Sequence, residues 1–564
     1  MASEKRASES RASGGRRWIG ALLATLALAV PIGWAGSAVR WHDWPIEPAR
    51  LRLILGEVLA CWLALVALRL TRRAAPEQDL APLLRPAWWI AGLIAVAMLI
   101  ATMLFHSFPN SADEFGFLFE SSTFLKGRLV NPPPPDPHLV AQMYLIVRDG
   151  KWVSQYLPGW PAILAAVRLI GLPAGLAAGL CGAVLLALVW RAARREAQSS
   201  AIATLAAVAL GSSPFFLLNA ASLFSHAASA TGVMAAVYGQ IRLREGDDRW
   251  ALLVGAGIGA AALCRLDSAL VAGLPLFAAW IAGGCRWRQA LFGFLGVAPP
   301  LLALGLYNHA VTGSAGVPPA IWAGITHLTA AGFGGAEADH DFLGKAGKLA
   351  FQRLANLADT ATLIVPGLYV WALVRRLRRR RLRSYDVIPL LNIALFTVFT
   401  DSGGWQLGPR YWFDGFVVMH LTVAAELATL RPRPRNWAAA ALALLVPAHM
   451  AMLPWQAQFF ARVYVERSAA FRAAAALPAD GQRAFVLIGD YASVFNPRYR
   501  LASTNPSFDM MHNDPDLAGR VIYMHADVPD ALARGCRMLP GARAYRFELN
   551  RAWPDGHLLP LACP

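Results

Sequence analysis

Residues 249–286 open on Arg249-Trp250 and run through Ala251-Leu-Leu-Val-Gly-Ala-Gly-Ile-Gly-Ala-Ala-Ala-Leu-Cys264 to a polar break, Arg265-Leu266-Asp267. A second apolar run, 268–283, follows and closes on Cys285-Arg286. Neither run has the polar stripe that an amphipathic helix needs in water. Two short antiparallel helices in a hydrocarbon layer, with a tight turn at its boundary, satisfy both. Basic residues at the two outer ends put Arg249 and Arg286 on the cytoplasmic side, so Arg265 faces outward.

The same texture extends along the chain. Of 564 residues, 56% are hydrophobic and 15% charged, where a soluble domain carries about 25% charged. Mean hydropathy is +0.42. These values exclude disordered, collagen-like and small disulfide-rich classes, and they exceed what one soluble core can absorb. Apolar runs recur at 18–38, 51–70, 87–105, 173–190, 200–218, 225–241, 289–307, 356–374, 385–400, 412–430 and 437–454. With the helical pair they predict an all-α polytopic membrane protein of about 13 transmembrane helices. The shorter run 160–171 reads as a re-entrant or interfacial helix. The run 18–38 exceeds a signal-peptide core and reads as a retained first span.

Lysine and arginine set the orientation. Segments assigned inside (1–17, 69–86, 191–196, 242–250, 284–289, 375–383 and 431–436) carry 27 in 71 residues. The outer segments (39–50, 106–160, 219–224, 265–267, 308–355 and 401–411) carry 11 in 135. The net charge of +17 therefore reflects positive-inside topology rather than a nucleic-acid footprint, and no nucleic-acid partner is expected. Arg375, Arg376, Arg378 to Arg381 and Arg383 form the strongest cytoplasmic anchor.

This reading divides the chain into a cytoplasmic tail (1–17), a transmembrane domain (18–455) with outer loops 106–160 and 308–355, and an extracytoplasmic domain (456–564). In the last, Arg483 to Gly489 and Arg520 to Met524 read as strands of a small α/β fold. Cys536 and Cys563 both lie there, on the oxidising side, and are expected to form a disulfide. Cys61, Cys181, Cys264 and Cys285 fall in or beside spans. No cysteine pair has metal-ligand spacing, and no glycine-rich nucleotide loop occurs.

Candidate chemistry sits in the outer loops. Asn110-Ser-Ala-Asp-Glu-Phe-Gly-Phe-Leu-Phe119 starts a helix. Ser111 and Glu114 have the spacing of a capping box, and Asp113 suits the first turn. Phe115, Leu118, Phe119 and Leu125 share one side, predicting a helix lying on the membrane surface with Asp113 at the lipid–water boundary. Ser154-Gln-Tyr-Leu-Pro-Gly-Trp-Pro161 returns the chain to the membrane. Arg265 and Arg410 fall at outer span ends, with His226, Tyr307 and Tyr411 as possible cavity-lining groups and Tyr156 in the re-entry. Asp136, Asp149 and Asp401 are possible second acids. Asp267 is a possible ion-pair partner for Arg265.

Taken in order, these motifs carry a resemblance. The Asp113-Glu114 pair, Tyr156-Leu-Pro-Gly-Trp-Pro161, Ser213-Pro-Phe-Phe216, Gly259 to Arg265, Leu306-Tyr-Asn308 and Gly408-Pro-Arg-Tyr411 resemble the GT-C superfamily of integral membrane glycosyltransferases. Within it they look most like the protein O-mannosyltransferase and lipid A aminoarabinose transferase group, over roughly residues 85–430. The resemblance implies a polyprenyl-phosphate-linked sugar donor and a glycan, lipid or protein acceptor at the outer face of the cytoplasmic membrane. It matches Asp113 to the catalytic Asp, Glu114 to the neighbouring acid and Arg265 to a basic residue.

The chemistry agrees. Sugar transfer needs a carboxylate to accept the acceptor's proton, which is worth typically about 10²–10⁴ in rate. It also needs cations for the departing phosphate, and arginine supplies bidentate donors. Arg265 and Arg410 are expected to bind that phosphate, so neither a cofactor nor a divalent metal is required. The alternative is a lipid or solute transporter or flippase, which calls for ionisable groups near mid-membrane and broken-helix repeats. An envelope scaffold acting through the tail is a third reading.

Overall fold

The computed structural model describes residues 86–324, 364–397, 410–430, 467–489, 512–549 and 556–564, with single positions between 435 and 465. The apolar runs 18–38 and 51–70, most of the loop 308–355, and Asp401 lie outside the described residues.

The chain enters on α1 (Pro86–Leu99), and α2 (Ala112–Leu125) opens the first outer loop. A two-stranded antiparallel ribbon, β1 (Leu145–Arg148) with β2 (Lys151–Ser154), follows. Next come α3 (Gly159–Leu169), α4 (Leu176–Ala197), α5 (Ser200–Ser212), α6 (Pro214–Ala221) and α7 (His226–Leu243). The pair that opened the analysis forms α8 (Trp250–Cys264) and α9 (Leu266–Ala282), broken at Arg265, whose backbone is extended. Then follow α10 (Trp287–Thr312), α11 (Ile364–Arg378), α12 (Ile388–Thr397) and α13 (Phe413–Leu427).

Among the described residues, α4 and α10 are long and apolar enough to cross a membrane. The run 200–218, read as one span, comprises α5 and α6, which together have the length and hydropathy of a span but are bent by 65° at their junction. Ser213 is extended and Pro214 starts the new helix, because proline cannot continue an α-helical hydrogen-bond ladder but suits a first turn. The count of about 13 spans rests partly on undescribed segments.

Leu270, Leu274, Phe277 and Ile281 form one exposed apolar face of α9. Phe294 and Leu302 of α10 are each 64% exposed. A continuous apolar face of this kind belongs against lipid. Inward, α8 packs through its glycines. A Cβ on Gly257 would strike the Gly232 backbone of α7, and one on Gly255 the Gly293 backbone of α10. Small residues let membrane helices approach closely where hydrophobicity alone gives no preference. At the end carrying the arginine run, Arg376 pairs with buried Asp386 and Arg375 with Glu426, each at 2.8 Å. Two of the anchor arginines thus also tie helices together.

The tail folds into a four-stranded sheet, β3 (Ala484–Ile488), β4 (Val521–His525), β5 (Arg543–Leu549) and β6 (Gly556–Leu561), in order β4-β3-β5-β6. β3 is parallel to β4 and β5, and β6 is antiparallel to β5. The helix α14 (Ala531–Met538) packs on it, and Gly535 lies against Phe485 with no room for a Cβ. Cys536 of α14 is disulfide-bonded to Cys563, with Cα atoms 5.9 Å apart. Thiol labelling of folded protein should modify exposed Cys285 at once and Cys536 and Cys563 only after reduction. Opening the bond should cost about 2–4 kcal/mol of tail stability. Two tail thiols reactive without reductant would contradict the bond.

The first outer loop and the tail share a core. Phe119, Leu139, Val140 and Trp152 cluster with Phe485, Ile522, Met524 and Leu539. Arg534 pairs with Asp136 at 2.6 Å and Lys126 with Asp514 at 3.0 Å. Of the face expected to lie on a membrane surface, Phe115, Leu118 and Phe119 are covered by protein and Leu125 is 37% exposed. Phe115, Phe117, Leu118 and Phe119 are all buried inside protein. An apolar face demands cover: the tail covers Phe115 and Phe119, and the core of the helical array covers Phe117 and Leu118.

Candidate active site

The site is built around the start of α2. Ser111 is its N-cap, accepting from the Glu114 N–H at 3.3 Å. The Glu114 carboxylate folds back and accepts from the Asn110 N–H at 2.7 Å and the Ser111 hydroxyl at 3.1 Å. Its other oxygen accepts from the Leu223 N–H at 2.8 Å, 109 residues away. Glu114 is 1% exposed, and burial, opposed by these donors, raises its carboxyl to about 7. The resemblance groups Glu114 with Asp113 as catalytic. The structure makes it a buried tie between α2 and the segment before α7.

Asp113 does no capping. Its Oδ1 accepts from the Tyr156 hydroxyl at 2.6 Å, and its Oδ2 lies 3.4 Å from Nη2 of Arg410. Both side chains of the ion pair are partly open, Asp113 at 20% and Arg410 at 14%. Arg410 stacks over the Phe224 ring at 4.2 Å, and Tyr411 lies between the two arginines, 4.9 Å from the Arg265 guanidinium. Arg265 is bonded to Asp267 at 2.8 Å. The His226 ring lies 6.0 Å from Tyr411 and 5.8 Å from Phe224.

One end of the helical array thus gathers α2, the 154–156 turn, the 222–226 turn, the α8–α9 break and the residues before α13. Tyr156 and Arg410 touch Asp113, and beyond Arg410 the Tyr411 ring gathers Arg265 and His226. Tyr307 stands one step back, donating to the Tyr156 carbonyl at 3.3 Å. Asp136 is engaged by Arg534 and Asp149 is exposed in the β1–β2 turn beside Arg148. Asp414, the acid nearest Arg410 in sequence, instead bonds the hydroxyls of Ser229 and Ser268. The sequence reading missed Phe224, which has no polar group to mark it, and Glu120, the third acid of α2. Among the described residues no group of three or more His, Cys, Asp or Glu could hold a metal ion.

No family model and no curated protein matches the chain. Among solved structures it is similar to ArnT from Cupriavidus metallidurans bound to undecaprenyl phosphate, at 13% identity over 82% of this chain and 93% of that one, with a TM-score of 0.48. It is also similar to the Archaeoglobus fulgidus oligosaccharyltransferase in the apo form, at 12% identity over 82% and 69%, with a TM-score of 0.43. A third is the S. cerevisiae Pmt1-Pmt2 protein O-mannosyltransferase complex bound to the sugar donor, at 15% identity over 40% and 33%, with a TM-score of 0.28.

Proposed function

We propose that this protein is a membrane glycosyltransferase that moves a sugar from a polyprenyl-phosphate donor to an envelope acceptor on the outer face of the cytoplasmic membrane. The observation that carries the reading is the pairing of one carboxylate, Asp113, with Arg410, 297 residues away in sequence, and the stacking of a second guanidinium, Arg265, on the neighbouring Tyr411 ring. Asp113 is the general base. Its Oδ1 is held by Tyr156, and its Oδ2 takes the proton of the acceptor hydroxyl as that oxygen attacks the anomeric carbon. The bond from that carbon to the phosphate oxygen breaks, and polyprenyl phosphate leaves with the electron pair.

The incoming phosphate competes with Asp113 for Arg410, since a guanidinium bonds either oxyanion well. Phosphate binding draws Arg410 off Oδ2 and opens it to the acceptor. Arg265, held by Asp267 and stacked on Tyr411, is the second cation. The tail clamps the first outer loop and so keeps α2 in place.

Native mass spectrometry for a co-purified lipid-linked sugar, followed by turnover of that species, tests the reading. A protein that moves such lipids across nanodisc or liposome bilayers without cleaving them is a flippase instead. For the cations, undecaprenyl phosphate in nanodiscs is the probe. Arg410→Ala and Arg265→Ala should each weaken its binding by about 10- to 100-fold, the value of a charge-assisted hydrogen bond. Arg265→Lys should recover only part, because the fork is lost. Unchanged affinity in both alanine variants puts the phosphate elsewhere.

A further inference from the structure

The scheme leaves one buried acid of α2 unused. Glu120 is 2% exposed, and its carboxyl oxygens lie outside strict hydrogen-bond geometry, with two hydroxyls facing them. A buried carboxyl so placed is costly unless something uses it. The polar groups beside it are the hydroxyls of Tyr307 and Ser154, from α10 and the end of β2. Both hydroxyls also hold the main chain of Tyr156. The Tyr156 N–H donates to Ser154 Oγ at 3.4 Å, and the Tyr307 hydroxyl donates to the Tyr156 carbonyl at 3.3 Å. Between Asp113 and Glu120, Gly116 bares the backbone of α2 to the Tyr156 ring, where a Cβ would come within 2.9 Å of the ring.

Glu120 is seven residues along α2 from Asp113, about 10 Å at the helical rise. It is too far to share a proton with the same substrate oxygen. Burial raises its carboxyl to about 8, so at neutral pH it carries a proton and can both donate and accept.

We propose that Glu120 is a positioning residue that, with the hydroxyls of Ser154 and Tyr307, fixes the main chain of Tyr156 and thereby aims the phenol that orients Asp113. The catalytic consequence rests on Asp113 being the base; the positioning of Tyr156 does not.

The test uses the full-length protein in nanodiscs with 3-fluorotyrosine at position 156, whose fluorine resonance reports the phenol's hydrogen bond. Asp113→Ala marks the position of the unbonded phenol. Glu120→Met, which fills the space without a polar group, should move the resonance toward that position. Glu120→Gln, which keeps a donor and an acceptor, should leave it near wild type. Turnover of the co-purified lipid-linked sugar should fall about tenfold in Glu120→Met with KM within about twofold, the pattern of lost orientation rather than lost binding. It should recover in Glu120→Gln. An unmoved resonance in Glu120→Met, or equal impairment in both variants, overturns the proposal and makes Glu120 a space filler. If Asp113→Asn keeps its turnover, the base assignment fails, while the fluorine signal still decides what positions Tyr156.

Discussion

Asp113→Asn lowers turnover by at least about 10²-fold, with the protein still folding and still binding undecaprenyl phosphate. The substitution is unusually clean at this position. The helix cap is Ser111, and the buried tie is Glu114, so neither is disturbed. Asparagine keeps an oxygen for the Tyr156 hydroxyl; its NH2 cannot accept from Arg410, but both side chains are partly open and water takes up that lost contact. What disappears is the oxygen that takes a proton. Tyr156→Phe loses only the aiming contact and should fall less, about tenfold. A turnover in Asp113→Asn within about threefold of wild type sinks the assignment, whatever the other variants do.

Glu114→Gln should damage stability more than Asp113→Asn does. Its two oxygens serve two main-chain N–H groups and a hydroxyl, all buried. Glutamine has a single acceptor oxygen. Its NH2 must face either the Asn110 or the Leu223 N–H, leaving one buried donor opposed by another. Orphaning such a group costs about 1–3 kcal/mol, and Glu114→Ala orphans both. Lower melting midpoints for Glu114→Gln than for Asp113→Asn in detergent check the point. A midpoint equal to wild type would show that the tie to Leu223 contributes nothing.

The pH dependence has a definite sign. Glu114 and Glu120 are raised by burial from 4.5 to about 7 and about 8. Each binds a proton more tightly folded than unfolded, so its contribution is complete below about pH 4.5 and is lost as pH rises through those values. Asp516, held low by Lys126 and Arg128, titrates outside this window. The glutamates' fall in melting midpoint should therefore stand clear above the usual imidazole range, between about pH 6.5 and pH 8.5, since buried His525, held down by burial, contributes the opposite slope below it. Glu120→Gln should flatten the upper part of the fall.

Much of the architecture was legible in the sequence because the forces that set it are local. The α8–α9 pair and its break at Arg265 follow from two apolar runs and two charges. β3 and β4 follow from short buried runs between turns. The cap at Ser111 is a three-residue relation and was legible, though the Glu114 carboxylate reaches past the Ser111 N–H to that of Asn110, so only half of the expected capping box forms. The bend at Ser213 was hidden, because hydropathy averaged over a run does not register a break, and a proline alone does not mark one: α9 runs on through Pro275 and α10 through Pro299 and Pro300. The burial of α2 was hidden for a related reason: its aromatic face shows that something covers it, not whether lipid or protein does.

The site itself divides along the same line. Sequence marked Asp113, Arg265 and Arg410 as separate candidates through residue type and their positions at the ends of apolar runs. It gave no sign that Arg410 pairs with Asp113, since the acid nearest in sequence, Asp414, is four residues away and Asp113 is 297. Only the tertiary structure paired Arg410 with Asp113, sent the Glu114 carboxylate to Leu223 and put Tyr307 and Ser154 on either side of Tyr156. Hydrocarbon length and helix capping act over a few residues and are written into the chain locally. A carboxylate chooses its partner by distance in space, and that distance exists only once the helices have packed.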